Sequence, residues 1–387
     1  HIRIPIDEEQ MFDEALKPEK EAFELLHNAL AWCKEFDLRV VVDLHILRTH
    51  HFNAASKPLF TERKAQEQFY DCWRKLSAEL KKYPRSMVAY ELMNEPVADD
   101  PEQWNVIVNE CLAAVRELEP KRTVIIGANR WQSFDQVKNL RVPEDDKNII
   151  ISFHFYNPFA FTHYRASWTD QKDNPLKVTY PGKMASAEEV AKLSPAMKQK
   201  YGWLASDGGY NDINTLEQQI KQAYDAAAAM GRKAYLGEFG VIDGADEPSM
   251  IRWYRDIVAI CEKYDIGYTT WDYKGGFGIL RDNGQPWQEK IDALLEIAGL
   301  YPSGANLQPL KFRIVQKKEE CDQVFPALKW AGYLPDFVIG EDQRPTAYIV
   351  VVRDKTVPGD SDYNAGAATN GLCIAATALG LGSCILG

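Results

Sequence analysis

Short apolar segments alternate with amphipathic stretches from residue 1 to about residue 298, and this alternation limits the folds open to the chain. The segments are continuously apolar, as is typical of strands buried on both faces of a parallel sheet. Strand–helix alternation predicts a βα barrel or a doubly wound sheet. Strands are predicted at Ile2–Ile6, Arg39–Leu44, Val88–Met93, Thr123–Gly127, Ile149–His154, Lys233–Gly237 and Gly267–Trp271.

Amphipathic helices are predicted between these strands, at Phe23–Phe36, Arg63–Lys82, Glu102–Leu118, Leu216–Met230 and Pro248–Lys263. A barrel has eight strands. Because only seven are predicted here, we expect the first strand and helix to precede His1. The segment from Asn157 to Tyr210 contains several Gly, Pro and Trp residues. It predicts an elaborated loop at the active-site end of the barrel, with a helix near Ala187–Lys192.

Two glutamates follow predicted strands at positions where a barrel carries catalytic groups. Glu95 comes after the segment Val88–Met93, and Glu238 comes after Lys233–Gly237. A carboxyl group at the carboxyl end of a parallel strand points into the barrel mouth rather than into the packed interior. Two such groups on different strands can flank one glycosidic bond. Either glutamate alone is better explained as a surface or ion-paired carboxylate, but their joint placement favours a catalytic function.

Several strand ends together resemble glycoside hydrolase family 5, the cellulase-like barrels, from residue 1 to about residue 295. In the family's order along the chain, the matching residues are Arg3, His45, Asn94-Glu95-Pro96, His154, Tyr156, Glu238 and Trp271. A lone Asn-Glu-Pro is weak evidence, whereas ordered matches on successive strand ends are specific. The resemblance implies a (β/α)8 TIM barrel, here lacking its first strand, whose chemistry requires no cofactor and no metal.

The resemblance also implies roles for the residues around the bond to be cleaved. Glu95 would be the general acid and then the general base, which requires a raised pKa. Glu238 would be the nucleophile that forms a glycosyl-enzyme, in a retaining mechanism with carboxyl groups about 5–5.5 Å apart. Arg3 and Tyr156 would hydrogen-bond Glu238 and keep it charged. For Arg3, an ion pair inside the barrel is the alternative interpretation.

The remaining matched residues would contact the sugar. Asn94 would bind the 2-hydroxyl group, a contact that strengthens in the transition state. His45 and His154 would position the sugar or tune the acid/base, and Trp271 would form a platform under the reacting ring. Core packing is the alternative interpretation for His154, Tyr156 and Trp271.

Other aromatic and histidine residues carry weaker signals. Trp131, Trp168, Trp203 and Trp287 are candidates for stacking on sugars in outer subsites, although packing is the simpler interpretation for each. The pair His50-His51 has no carboxylate or cysteine at metal-ligand spacing, so we predict a loop there and no metal site.

The character of the chain changes after Leu300, and residues from about 291 to 387 resemble part of a nitroreductase-like flavoprotein. The segments Pro302–Pro309 and Ala375–Cys384 carry this resemblance. Strands are predicted at Lys311–Val315 and Ala347–Val352, followed by an Ala/Gly-rich helix at Ala365–Leu379.

The flavoprotein resemblance implies a partial α+β segment, in which Ser303, Asn306 and Gln308 are candidate FMN contacts. The family's basic N-terminal segment has no counterpart here, so a fragment that binds nothing is the simpler interpretation. We therefore predict a hydrolase barrel over residues 1–298 and a partial flavin-fold segment over 299–387. Two incomplete partners without a linker indicate a chimeric or fragmentary chain.

Net charge and cysteine content limit the classes of binding partner, but they do not identify the cellular compartment. A net charge of −11 argues against nucleic acid or an anionic membrane as the main partner. The apolar segment from Gly371 to Gly387 lacks basic flanks, so a buried helix is favoured over a membrane span. Seven cysteines without a Cys-x-x-Cys pair indicate neither a zinc site nor a dense disulfide framework. No signal peptide is present in this chain; the hydrolase resemblance implies a secreted or periplasmic enzyme.

The predicted function is a retaining glycosidase that cleaves β-linked polysaccharide, with cellulose-type β-1,4-glucan as the first substrate and mannan and mixed-linkage glucan left open. One alternative is an FMN-dependent oxidoreductase, which a yellow purified protein would favour. The other is a non-catalytic carbohydrate-binding barrel, and the presence of both Glu95 and Glu238 argues against it.

Overall fold

A computed structural model describes residues 1–281, 283–295, 310–315, 318–328, 340, 344–345, 347–353 and 369. The chain divides into two compact units, His1–Leu294 and Leu295–Gly387. The first unit contains a parallel sheet of seven strands in the order β1-β2-β3-β4-β5-β8-β9, flanked by helices.

The strands of the first unit are β1 (Ile2–Asp7), β2 (Val40–Ile46), β3 (Val88–Glu91), β4 (Val124–Gly127), β5 (Ile149–Phe155), β6 (Gly182–Lys183), β7 (Tyr210–Asn211), β8 (Lys233–Phe239) and β9 (Gly267–Tyr268). Its helices are α1 (Glu8–Met11), α2 (Lys20–Glu35), α3 (Pro58–Thr61), α4 (Arg63–Leu80), α5 (Pro101–Leu118), α6 (Asn129–Gln132), α7 (Phe159–Thr162), α8 (Ala187–Ala191), α9 (Pro195–Tyr201), α10 (Ile213–Ala229), α11 (Glu247–Lys263) and α12 (Gln288–Leu295).

All seven predicted strands of the first unit are present, and they pair in chain order. Strand β2 is buried along almost its whole length, with only Ile46 partly exposed. This explains why its sequence is apolar apart from Asp43 and His45, since helices cover one face and the barrel interior covers the other. Strand β9 ends at Tyr268, so Trp271 lies in the loop that follows rather than in the predicted strand.

The helices that cover the sheet begin at acidic residues. The side chain of Asp100 accepts a hydrogen bond from the Glu102 amide and forms a capping box with Gln103, and α5 starts at the next residue. Asp212 and Asp246 cap α10 and α11, because their side chains accept hydrogen bonds from the amides of Thr215 and Ser249. Each cap satisfies amide groups that the first helical turn leaves without partners.

The segment between β5 and α10 forms the elaborated loop that the sequence predicts. It contains the short helices α7, α8 and α9 and an antiparallel pair formed by β6 and β7. The helix predicted near Ala187–Lys192 is α8, which Ser186 caps. Because α7 directly follows β5, this segment lies at the carboxyl end of the sheet.

The described part of the second unit contains β10 (Leu310–Val315), α13 (Lys318–Val324) and β11 (Tyr348–Arg353). Strands β10 and β11 pair antiparallel, close to the two positions predicted from the sequence. Of the predicted helix Ala365–Leu379 only Thr369 is among the described residues, and the apolar segment Gly371 to Gly387 lies outside them. Among the residues that are described, no helix combines the length and hydropathy needed to span a membrane.

Candidate active site

The two predicted catalytic glutamates meet at the carboxyl ends of β3 and β8. An oxygen of Glu95, a ring nitrogen of His154 and an oxygen of Glu238 all lie within 4.8 Å of one another. His154 Nδ1 is 3.0 Å from Glu95 Oε1 and 3.6 Å from Glu238 Oε2. The Glu95 side chain is 12% exposed and that of Glu238 is 6% exposed. Both carboxyl groups are therefore largely buried, and Glu95 is the more exposed of the two.

Arg3 and Tyr156 both bind Glu238. Arg3 donates from Nη1 to Glu238 Oε1 at 2.7 Å, and the Tyr156 hydroxyl donates to Oε2 at 2.9 Å. Burial raises the pKa of Tyr156, and the negative charge of Glu238 raises it further, so the hydroxyl keeps its proton and acts as a donor. Each oxygen of Glu238 thus has its own donor, one of them cationic, as the sequence-based roles require.

Glu95 has a different environment, in which no lysine or arginine of the described residues contacts its carboxyl group. Burial raises the pKa of Glu95 well above its usual value, and the nearby charge of Glu238 adds to this effect. The backbone of Glu95 is in the left-handed region at a φ of 46°, which is uncommon for a residue other than glycine. Its amide donates to Gln132 Oε1 at 2.8 Å, and its carbonyl oxygen lies 3.1 Å from His50 Nε2.

The pKa values of the two histidines of the site are shifted in opposite directions. Burial lowers the pKa of His154 well below its usual value, and the positive charges of Arg3 and His45 lower it further, so His154 is neutral. Burial also opposes charging of His45, but the hydrogen bond and the charge of Asp43 outweigh it and raise the pKa of His45. His45 Nδ1 lies 2.8 Å from Asp43 Oδ2.

Trp271 and Asn94 complete the set of predicted residues. The indole of Trp271 is partly exposed and stacks parallel to the His45 ring, with centroids 5.2 Å apart. Asn94 Oδ1 accepts a hydrogen bond from Arg3 Nη2 at 2.8 Å, and its Nδ2 lies 3.4 Å from His45 Nε2. The fold therefore brings together all eight predicted residues of the barrel.

Sequence reasoning missed three buried polar residues beneath the glutamates. Arg3 Nε donates to Glu91 Oε2 at 2.6 Å, and Arg3 Nη2 lies 3.0 Å from Asp43 Oδ2. Gln132 donates from Nε2 to Glu91 Oε1 at 3.1 Å. The signal for Asp43 and Glu91 was available, because each is a carboxylate inside an otherwise apolar predicted strand. Both interpretations of Arg3 hold, since it forms interior ion pairs and also binds Glu238.

The outer tryptophans fall into two groups. Trp287 is only 4% exposed and donates from its indole nitrogen to Glu247, so its interpretation as a packing residue is correct. Trp131, Trp168 and Trp203 are between 45% and 60% exposed and remain available to a ligand. Trp131 Nε1 donates to the carbonyl oxygen of Phe52 at 3.1 Å, which fixes the indole in place.

Among the described residues, the one group of side chains with the spacing of a metal site is Glu95, His154 and Glu238, the two predicted catalytic glutamates and the histidine between them. His50 is buried and lies against the backbone of Glu95, consistent with the loop interpretation of His50-His51. The candidate FMN contacts Ser303, Asn306 and Gln308 lie outside the described residues.

Comparison with known proteins decides the family. The sequence model of the cellulase family, glycosyl hydrolase family 5, matches residues 1–276. The chain belongs to glycosyl hydrolase family 5. Endoglucanase C of Acetivibrio thermocellus is 34% identical over 303 residues, which are 76% of this chain and 86% of that protein. Cellodextrinase A of Ruminococcus flavefaciens is 24% identical, covering 69% of this chain and 72% of that protein.

Solved structures of the family agree with this assignment. An endoglucanase of known structure superposes with a TM-score of 0.62 at 28% identity, covering 76% of this chain and 84% of the other. A hyperthermophilic endo-β-1,4-glucanase, solved in complex with substrate, superposes with a TM-score of 0.61 at 26% identity, with the same coverage. The predicted (β/α)8 fold and glycosidase class are thereby confirmed for this family 5 chain. The match to the family ends at residue 276, so it gives no support for FMN.

Proposed function

We propose that this family 5 chain cleaves internal β-1,4 bonds of a glucan with retention of anomeric configuration, using Glu238 as nucleophile and Glu95 as acid/base. The spacing of the carboxyl groups carries the proposal. Oxygens of Glu95 and Glu238 lie within 4.8 Å of each other. Retaining glycosidases hold their two carboxyl groups about 5–5.5 Å apart, whereas inverting enzymes leave about 6.5–9.5 Å for a water molecule.

The pKa shifts and hydrogen bonds of the site support these roles. Burial raises the pKa of Glu95, so it carries the proton that the leaving oxygen needs. Glu238 accepts hydrogen bonds from Arg3 and Tyr156 on its two oxygens, and its carboxylate attacks the anomeric carbon. After the leaving group departs, Glu95 is ionised and removes a proton from the water that hydrolyses the glycosyl-enzyme. Neutral His154, between the two glutamates, adds no positive charge that would lower the pKa of the acid.

The substrate is proposed from the relatives. Endoglucanase C and other relatives are named as endoglucanases, which supports a β-1,4-glucan as the first choice. A Thermotoga maritima relative, 25% identical, was solved both with cellobiose and with mannotriose, so mannan remains a candidate. Because a polymeric glucan does not cross a membrane, we also propose that the enzyme acts outside the cytoplasm.

Hydrolysis of a panel of carboxymethylcellulose, mixed-linkage glucan and glucomannan tests the proposal. The parent is expected to release reducing sugar, and Glu95→Gln and Glu238→Gln are each expected to lose this activity. Glu110→Gln is the control, since Glu110 is an exposed carboxylate paired with Arg63 on α4. NMR of the first product should show the β-anomer; the α-anomer would exclude the retaining mechanism. A folded parent that binds these glycans without cleaving them would favour the carbohydrate-binding alternative.

A further inference from the structure

A left-handed turn beside the acid/base holds a fully buried amide. Arg130, Trp131 and Gln132 have φ values of 52°, 58° and 52°, so three successive residues occupy a region that residues other than glycine seldom enter. The turn points its residues in opposite directions: Trp131 is 50% exposed, whereas Gln132 is 0% exposed. Such backbone strain persists only where the surrounding contacts hold it, and it clusters at functional sites.

The side-chain amide of Gln132 forms hydrogen bonds with three groups. Its Oε1 accepts the hydrogen bond from the Glu95 amide at 2.8 Å. Its Nε2 donates to Glu91 Oε1 at 3.1 Å and to Ser152 Oγ at 2.9 Å. Neither a carboxylate nor an amine of the same length satisfies this set, because it requires an acceptor and two donors on one planar group.

The neighbouring strands make room for this amide. A Cβ on Gly127, at the end of β4, would lie 2.3 Å from Gln132 Cδ. A Cβ on Gly237, in β8, would lie 2.6 Å from Ser152 Oγ and 3.2 Å from His154 Nε2. Strands β4 and β8 thus have a glycine at the two positions where a side chain would overlap with Gln132 or with its partner Ser152.

Contacts of Gln132 reach both catalytic carboxyl groups. On one side it binds the backbone of Glu95, whose own φ is 46°. On the other side it binds Glu91, which accepts from Arg3, and Arg3 donates to Glu238. Removal of the amide would therefore act directly on the Glu95 backbone, whereas Glu238 lies two contacts further away and keeps its own donors, Arg3 and Tyr156.

We propose that Gln132 is a positioning residue, which fixes the left-handed backbone of Glu95 so that its carboxyl group meets the leaving oxygen. The inference rests on the proposed function of Glu95. Gln132 itself does not touch the reacting atoms. Its effect should therefore appear in the step that needs acid catalysis and not in substrate binding.

The test compares two substrates that differ in their need for an acid. Cleavage of cellotetraose requires protonation of the leaving oxygen, whereas 2,4-dinitrophenyl β-cellobioside has a leaving group that departs without it. In Gln132→Met, kcat/KM for cellotetraose is expected to fall about 10²-fold, the lower end of the usual contribution of acid–base catalysis. For the dinitrophenyl substrate kcat/KM is expected to change little. Gln136→Met, four residues further along the chain, is the matched control, because the side chain of Gln136 has one hydrogen bond within the described part of the chain, accepted from Asn139.

A second variant keeps the test decisive if Gln132→Met does not fold. Gln132→Glu preserves the volume and the acceptor for the Glu95 amide, but it places a carboxyl group against Glu91. The loss of kcat/KM on cellotetraose in this variant should become smaller as the pH falls. Protonation of the new carboxyl group restores one hydrogen-bond donor toward Glu91 or Ser152. Equal losses on both substrates, or full activity on both, would overturn the positioning role. A parent inactive on both substrates would instead overturn the proposed function on which the inference rests.

Discussion

Glu95 and Glu238 are the same kind of side chain, and their neighbours give them different tasks. Glu238 is held by an arginine and a tyrosine, so its negative charge is compensated where it stands. Glu95 is desolvated and faces the charge of Glu238, and both effects raise its pKa. Two carboxyl groups whose environments differ in this way are the arrangement that separates an acid from a nucleophile.

The first prediction concerns the pH dependence of activity at Glu95. A general acid works only while protonated, so kcat/KM on cellotetraose should fall as the pH rises through the pKa of Glu95. Because that pKa is raised, the fall should begin well above the usual range of a glutamate, near 4.5. On 2,4-dinitrophenyl β-cellobioside, whose leaving group needs no acid, the kcat/KM of the parent should lack this alkaline limb. The same alkaline limb on both substrates would assign it to another group; Glu110→Gln is the control and should keep the parent profile on cellotetraose.

At the scale of single elements, the residues at the strand ends could be predicted from the sequence, whereas Gln132 beneath them could not. Charged or aromatic residues directly after apolar strands, such as His45, Glu95 and Glu238, are visible in the sequence because parallel strands share a carboxyl edge. Gln132 gave no such signal, because its role depends on a left-handed turn of ordinary residues. The apolar periodicity predicts that α10 begins at Leu216, whereas the helix begins at Ile213. The difference arises because periodicity alone does not mark the N-cap at Asp212.

The second prediction concerns a glycine that the strand pattern does not explain. Gly237→Ala in β8 should displace Ser152 and His154, since the added Cβ would lie 2.6 Å from Ser152 Oγ. Overpacking of this kind costs about 1–3 kcal/mol of unfolding free energy. Because His154 contacts Glu95, kcat should also fall. Urea unfolding and cellotetraose kinetics of the purified variant measure both effects.

Gly244→Ala provides the matched control for that substitution. Gly244 lies in an exposed loop, and a Cβ there meets nothing within 4 Å. Its unfolding free energy and kcat should equal those of the parent. If Gly237→Ala also matched the parent, the close packing of β8 against β5 would not be needed for the site.

At the scale of the whole molecule, buried neutral histidines predict a loss of stability in acid. Burial lowers the pKa of His50 and of His163 to about 4, and it lowers that of His154 well below 6.5. The unfolded chain binds these protons below about pH 6.5 and the folded chain does not, so the free energy of unfolding falls as the pH decreases from 6.5 toward 4. His50 and His163 each contribute about 3 kcal/mol to this loss. The raised pKa of His45 acts in the opposite direction.

Replacing one of these histidines isolates its share of the effect. His163 lies among aromatic rings: its ring centroid is 4.0 Å from that of Phe159, on which it stacks, and 5.1 Å from that of Phe277. A phenylalanine in place of His163 should therefore fit the same space. Between pH 6 and pH 4.5, its free energy of unfolding should depend less steeply on pH than that of the parent, by about 1.4 kcal/mol per pH unit. Replacement of the exposed His51 by alanine is the control. Identical slopes for His163→Phe and the parent would contradict the prediction.

The last prediction concerns the division of the chain. Every residue assigned to the site lies within the first compact unit, His1–Leu294, and α12 ends at Leu295. A chain that ends after Leu295 should therefore keep the kcat/KM of the full chain on β-glucan, since a domain with its own core can fold alone. Circular dichroism of both chains establishes that they are folded, and their flavin absorbance tests FMN binding at the same time. A folded but inactive shortened chain would mean that residues after Leu295 contribute to catalysis, and a yellow colour lost on shortening would assign FMN to that segment.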